Sequence, residues 1–216
     1  MFNQYLMLNK VSLSILFRLS ALAISALAMA SFAGTNPKAN FYTLNSQISN
    51  ETIDENLNKN TSNLTIHIAS VVMDETVDKP QLVIRTTQNQ VEILEQQRWA
   101  QPLKNEISRV VAEHLSVLLG TNKITTYPLA ANKSDYIVTI QVQNFESKPS
   151  ENVQMRAYWT VRRTLDNFQT SNTLAAMQAI SNASPSNYDA LIMAHNQNLS
   201  RLSADIAKSI AVISIN

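Results

Sequence analysis

Hydrophobic and polar positions alternate with a period of two through the middle of this chain and recur every three to four residues in two long stretches. Leu82 and Ile84 alternate with Val83 and Arg85, and Val91 and Ile93 with Glu92. Such runs predict half-buried strands. Gln88-Asn89-Gln90 separates them, and asparagine tolerates the left-handed backbone of a short turn, so the pair reads as a hairpin. A helix is then expected to open at Arg98-Trp99-Ala100 and to run from about Trp99 to Leu119. Trp99, Leu103, Ile107, Val110, Val111, Leu115 and Leu118 make one apolar stripe along it. Pro102 falls in its first turn, where a missing N–H costs little, and Gly120 follows its last turn as a cap.

The same reasoning places a short early strand at Phe41-Tyr42-Thr43-Leu44 and another over residues 64–72, where Leu64, Ile66 and Ile68 alternate with Thr65 and His67. Lys123 to Tyr127 reads as a short strand stopped by Pro128. Tyr136, Val138, Ile140 and Val142 alternate with Ile137, Thr139, Gln141 and Gln143, and Val153, Met155, Ala157, Trp159 and Val161 with Gln154, Arg156, Tyr158, Thr160 and Arg162. These are two antiparallel-type strands with one wet face, joined by a turn at Glu146 to Asn152. A turn at Asp166 to Ser171 and a strand from Thr173 to Ile180 follow. Ser184-Pro185, or Ser186 with Asp189, signals a helix start. The final helix carries Tyr188, Ile192, His195, Leu199, Leu202, Ile206, Ile210 and Ile213 on one face. The sum is an α+β fold: a single domain with a mostly antiparallel sheet of five to seven strands and two long helices packed on it.

Residues 1–33 read as an export signal. Lys10 and Arg18 precede the apolar run Leu19 to Met29, and Ala28-Met29-Ala30 and Ser31-Phe32-Ala33 both fit a small-x-small cleavage site. Cleavage after Ala30 or Ala33, or retention as an anchor, stay open, and all send the rest of the chain across the inner membrane. Residues 34–63 hold the first strand and an Asn, Ser and Thr-rich linker; residues 64–216, with strand 41–44, hold the domain. The 216 residues are 45% hydrophobic and 15% charged, enough for a real core. Removing residues 1–33 takes away two bases and no acid, turning the formal charge from +1 to −1. No basic field exists to attract nucleic acid. Only two glycines occur and no cysteine, which excludes glycine-rich phosphate loops, disulfides, thiolate metal sites and cysteine nucleophiles.

Candidate chemistry is sparse. His67, His114 and His195 have no partner ligand at metal-binding spacing, so no metal and no cofactor is expected. His195, on an apolar stripe, reads as a packed or partly exposed residue at the edge of the core. Asp74-Glu75, Asp78 and Glu92 read as solvated loop acids rather than paired catalytic carboxylates. Arg162-Arg163 reads as a solvated strand end rather than an anion site. Trp99 and Trp159 sit in periodic apolar patterns and read as core. No nucleophile elbow is present, and no catalytic residue is assigned.

The order of several short motifs resembles the PqiC-like family of ABC-type transport auxiliary lipoproteins. Carrying the resemblance are Phe41-Tyr42-Thr43-Leu44, Asp78-Lys79-Pro80-Gln81-Leu82-Val83-Ile84-Arg85 and Arg98-Trp99-Ala100-Gln101-Pro102-Leu103. The strand from Tyr136 to Phe145, Ala157-Tyr158-Trp159, Tyr188-Asp189-Ala190-Leu191 and the run from Leu202 to Ala207 fit as well. The resemblance implies a non-enzymatic periplasmic accessory of a Gram-negative envelope. Its partner would be an MCE-domain protein (PqiB-like) in intermembrane lipid transport, with ring-like homo-oligomers and a place at the inner face of the outer membrane. It nominates Pro80, Gln81, Arg85, Arg98 and Trp99 as interaction residues, with turn and helix-start packing as the competing reading of each. The family pattern ends its signal in a lipidated cysteine. Here the corresponding region is Ala30-Ser31-Phe32-Ala33-Gly34, so membrane association is expected only through partners. The alternative function is a free periplasmic binding module for an apolar ligand. A roomy apolar pocket would favour it, and a solid core with an exposed apolar patch would favour the accessory role.

Overall fold

Two sheets, not the single one expected, organise the chain. The computed structural model describes residues 37–48, 61–149, 151–179 and 188–215, and the fold below is that of the unit Ala39–Asn216. The signal expected at 1–33, most of the polar linker and the helix-start residues 184–186 lie outside the described residues. The small sheet has the order β1 (Asn40–Tyr42), β5 (Gln90–Trp99), β4 (Gln81–Thr87). The large sheet runs β6 (Ile124–Thr125), β2 (Ile66–Ile68), β7 (Tyr136–Lys148), β8 (Asn152–Arg163), β9 (Gln169–Ala179), with β3 (Val72–Met73) also on β7. Both sheets are mixed. The long ladders, β4–β5, β7–β8 and β8–β9, are antiparallel, while β1, β2, β3 and β6 join by short parallel pairings. The single strand expected over 64–72 is thus two, β2 and β3.

The large sheet follows its sequence pattern closely. Tyr136, Val138, Ile140 and Val142 on β7 and Val153, Met155, Ala157, Trp159 and Val161 on β8 are all buried, because alternate side chains of a strand share a face. A bulge between Val142 and Asn144 then shifts the phase of β7 by one residue. Phe145 and Ser147 point inward beyond it. On the far side of β8, Asn167 turns the chain into β9 with φ of 58°, a value asparagine tolerates well.

Two helices cover this sheet. Helix α1 spans Leu103–Leu119 and α2 spans Tyr188–Ile215; they pack on each other, and α2 lies against β8 and β9. Every α1 residue foreseen on the stripe from Leu103 onward is buried. Trp99, however, ends β5 rather than opening the helix. Its N–H donates to the Pro80 carbonyl at 2.8 Å and the Ala100 N–H to that of Tyr42 at 2.8 Å. Pro102 is the N-cap, with extended ψ of 127°, and a proline holds the residue before it out of the helical region. Gly120 takes the left-handed conformation at φ 64° and its N–H caps the Ser116 carbonyl. Glu106, a buried carboxylate on α1, accepts from the Thr43 hydroxyl at 2.6 Å, the Leu44 N–H at 3.1 Å and Arg109 at 2.9 Å. It fastens the segment after β1 to the helix. No helix among the described residues is long and apolar enough to cross a membrane.

Candidate functional site

The small sheet has one face on the core and one face open, and its register assigns the nominated residues to these faces. Leu82 and Ile84 are buried, so Gln81, Val83 and Arg85 point the other way. Opposite residues of paired strands share a face. Val83 stands opposite Ile93 and Arg85 opposite Val91. At the sheet's other end β5 skips Glu95, Gln96 and Gln97 and sets Arg98 opposite Gln81, and Phe41 of β1 opposite Arg98. The outer face therefore carries Gln81, Arg85 and Arg98 together with apolar Phe41, Val83, Val91 and Ile93. Phe41 is 65% exposed, Val91 40% and Ile93 41%.

The remaining nominees lie beside this face. Pro80 is exposed just before β4. Trp99 is only 6% exposed and meets Phe145 edge-to-face, with ring centroids 6.5 Å apart. Its indole belongs to the core, so any contact role it has is indirect, through the position of Arg98. Pro80, Gln81, Arg98 and Trp99 come together at one end of the hairpin, and Arg85 stands apart toward the turn.

Arg85 edges a cleft of about 190 Å³ between the outer face, loop 74–77 and the bulged part of β7. Its guanidinium bridges to Glu146 of β7 and donates to the Gln88 carbonyl at 3.0 Å. The Glu146 hydrogen bond pushes the Arg85 pKa up. At the other end Gln81 donates to Glu95 at 3.1 Å, and the Tyr42 hydroxyl donates to Gln97 at 2.8 Å. The side chains of the three-residue bulge thus tie the neighbouring strands together. Beneath the cleft, His195 stacks on Phe145 at 3.8 Å, with ring planes 11° apart, and shares a 2.8 Å hydrogen bond with Ser147. It is fully buried, not partly exposed, and burial lowers its pKa to about 3. It is neutral at pH 7.

The other candidates serve local structure. Asp74 accepts from the Thr76 N–H at 2.7 Å, and the Thr76 hydroxyl and amide lower its pKa. Asp78 pairs with Lys104 at 3.2 Å, and Glu92 is exposed on the hairpin. Arg163 holds Asp166 through two hydrogen bonds of 3.0 and 2.8 Å. Those bonds lower Asp166 to about 2. Arg162 donates to Asn167 at 2.9 Å. Both arginines therefore lock the β8–β9 turn. His114 shares a 3.0 Å hydrogen bond with Ser203, and burial lowers its pKa. Trp159 is 1% exposed, in the core. No group of three or more His, Asp or Glu side chains among the described residues is placed to hold a metal ion. An open groove of about 370 Å³ lies between the β8–β9 turn and the end of α2, lined by Phe168, Val212 and Ile213 with Arg163 and Lys208.

Sequence reasoning missed Glu106, Glu146 and Ser147. Glu106 had a signal, an acid on the helix flank three residues before Arg109. The other two depend on the β7 bulge, which no periodicity announces.

Residues 42–207 match the model of a family described as an ABC-type transport auxiliary lipoprotein component. No curated protein gives a significant match. Among solved structures, an uncharacterized protein is similar with a TM-score of 0.64 and 17% identity, over 81% of this chain and 99% of that one. A Xanthomonas campestris protein of the DUF330 family is similar with a TM-score of 0.64 and 16% identity, over 80% of this chain and 95% of that one. At such identities the likeness concerns the fold.

Proposed function

The chain belongs to the family of ABC-type transport auxiliary lipoprotein components, and from that premise we propose that it is a non-enzymatic accessory of an MCE/ABC-type intermembrane lipid transport system. It works in the periplasm of a Gram-negative bacterium, near the outer membrane, by contact with an MCE-domain protein. Residues 1–33 deliver it there as a signal. The observation that carries this reading is the outer face of the small sheet. Three of the five nominated residues, Gln81, Arg85 and Arg98, stand on it beside exposed Phe41, Val91 and Ile93. Apolar side chains flanked by charged and amide groups are the composition of a protein contact surface. The sequence holds no cysteine, so contact with such a partner takes the place of a lipid on this chain. Homo-oligomers, ring-like in the family resemblance, are compatible with that face remaining free.

A second reading, binding of an apolar ligand, draws on the open groove beside Phe168 and Val212. One experiment separates the two. A photoreactive residue is placed at Val91, at Ile93, at Phe168 in the groove and, as a control, at exposed Leu129, and adducts formed in intact cells are identified by mass spectrometry. Adducts with an MCE-domain protein at Val91 and Ile93 but not at Leu129 support the accessory role. Their absence, with lipid co-purifying and crosslinking at Phe168, overturns it in favour of the ligand carrier.

A further inference from the structure

Strand β9 is the last strand of the large sheet. It pairs with β8 along its length, and no strand among the described residues pairs with its other edge. Its eleven residues, Gln-Thr-Ser-Asn-Thr-Leu-Ala-Ala-Met-Gln-Ala, include no charge, no proline and no glycine. The ladder with β8 runs without a register shift. At about 3.3 Å per residue the open edge is about 36 Å long. A row of outward N–H and C=O groups of that length is a template for another strand, and natural sheets blunt such edges with charge, proline, bulges or brevity. Within the chain the Thr173 N–H is met by the Asn172 side chain at 2.7 Å, a bond it would have to exchange for one to the added strand. The chain's other outer strands obey that rule. β1 has three residues and β6 two. β4 carries Arg85 and two register irregularities. Among the outer strands of the described residues, β9 alone has none of these protections.

We propose that β9 is a pairing edge for a second copy of this chain. Two β9 strands meet antiparallel across a two-fold axis at Leu174, and the two large sheets become one. The occupant is a second copy because the edge asks for a strand as long and as free of charge as itself. Among the outer strands of the described residues only β9 meets that demand. An edge that pairs with itself closes as a two-fold dimer and does not grow into a filament. Leu174 is half-buried against the core, and the axis sets two copies of it side by side, covering both. No like charges face each other anywhere in the ladder. The surface lies on the large sheet, so it neither rests on the small-sheet docking face nor competes with it.

In this register Thr173 of one copy stands opposite Ala175 of the other, and both positions are exposed in a single chain. Substituting them leaves the core untouched. The test is sedimentation equilibrium of the purified protein and of two double variants. T173K with A175K sets lysine against lysine twice. T173K with A175E sets lysine against glutamate twice. The wild type is expected to dimerise, the lysine–lysine variant to dissociate at least about tenfold more readily, and the lysine–glutamate variant to dimerise as the wild type does. Circular dichroism of all three should coincide. A wild type that stays monomeric at every concentration overturns the proposal. So does a wild-type oligomer that the lysine–lysine variant leaves intact, or a lysine–glutamate variant that dissociates like the lysine–lysine one.

Discussion

The two sheets of this protein spend their apolar residues in opposite ways. Along β7 and β8 nearly every second side chain is buried under the two helices, and Trp159 at 1% exposure is among the largest fully buried side chains. Along β5 the first four side chains, Gln90 to Ile93, are all exposed, so Val91 and Ile93 remain in the open. Both regions show alternation in sequence. Alternation therefore predicts strand, but not what the apolar face will meet. In the large sheet that face meets α1 and α2. In the small sheet the inner face, Leu82 and Ile84, meets the core, while the outer face touches β7 only through Arg85 and Glu146 at the cleft and leaves Phe41, Val91 and Ile93 exposed. The large sheet supplies stability and the small one presents a surface.

The sharpest way to break that comparison is to cut a side chain from the large sheet. Trp159→Ala removes a buried indole and leaves a cavity that rigid strands on both sides cannot close. Such losses cost about 3–5 kcal/mol. Urea unfolding of the variant should show that loss, and a change below about 1 kcal/mol would mean that the large sheet is not the stable half.

The next effect is electrostatic and lies at the junction of the two regions. His195 ordinarily titrates at 6.5, and burial lowers it to about 3. Between those values the unfolded chain binds a proton that the folded chain refuses, so stability falls as pH drops. Full stability is present above 6.5, and the loss is complete once pH reaches about 3. By linkage, His195 removes about 2 kcal/mol between pH 7 and pH 5. His114, lowered by burial as well, acts in the same direction. Chemical denaturation across this range should show the decline, and His195→Gln should flatten most of it. An unchanged pH slope in that variant would place the acid sensitivity elsewhere.

What could be read from the sequence divides along the same line. The strands of the large sheet and α1 from Leu103 were legible because each buries one face against a neighbour, and that leaves period two or period 3.6 in the chain. Trp99 misled because it continues the stripe of Leu103 and Ile107 at helical spacing. Its backbone N–H instead bonds to Pro80, and Pro102 denies the preceding residues a helical start. The hairpin of the second sheet, β4 and β5, was legible too, but its standing as a sheet of its own with β1 was not. It exists because β1 pairs in parallel with a strand far along the chain, and a three-residue pairing leaves no periodic mark. For the candidate site, resemblance nominated the residues and left their arrangement unknown. Gln81, Arg85 and Arg98 share a face only because β5 skips three residues opposite Gln81 and Leu82. Without that bulge Arg98 would turn inward and Trp99 outward.

The smallest expected effect on stability is the most informative about function. Val91→Ser with Ile93→Ser trims two exposed side chains from the outer face of the small sheet. Surface substitutions of this kind typically move stability by no more than about 0.5 kcal/mol. If the face is a docking surface, the same pair of changes should abolish partner adducts formed from a photoreactive residue at Phe41, on the neighbouring strand of that face, while the unfolding curve stays in place. Trp159→Ala should do the reverse in proportion: a large shift in unfolding, and loss of adducts only where the fold itself is lost. Should the serine pair instead destabilise the protein by several-fold more than a surface change does, Val91 and Ile93 are part of the packing after all. The contrast between a sheet built for stability and a sheet built for contact would then fall.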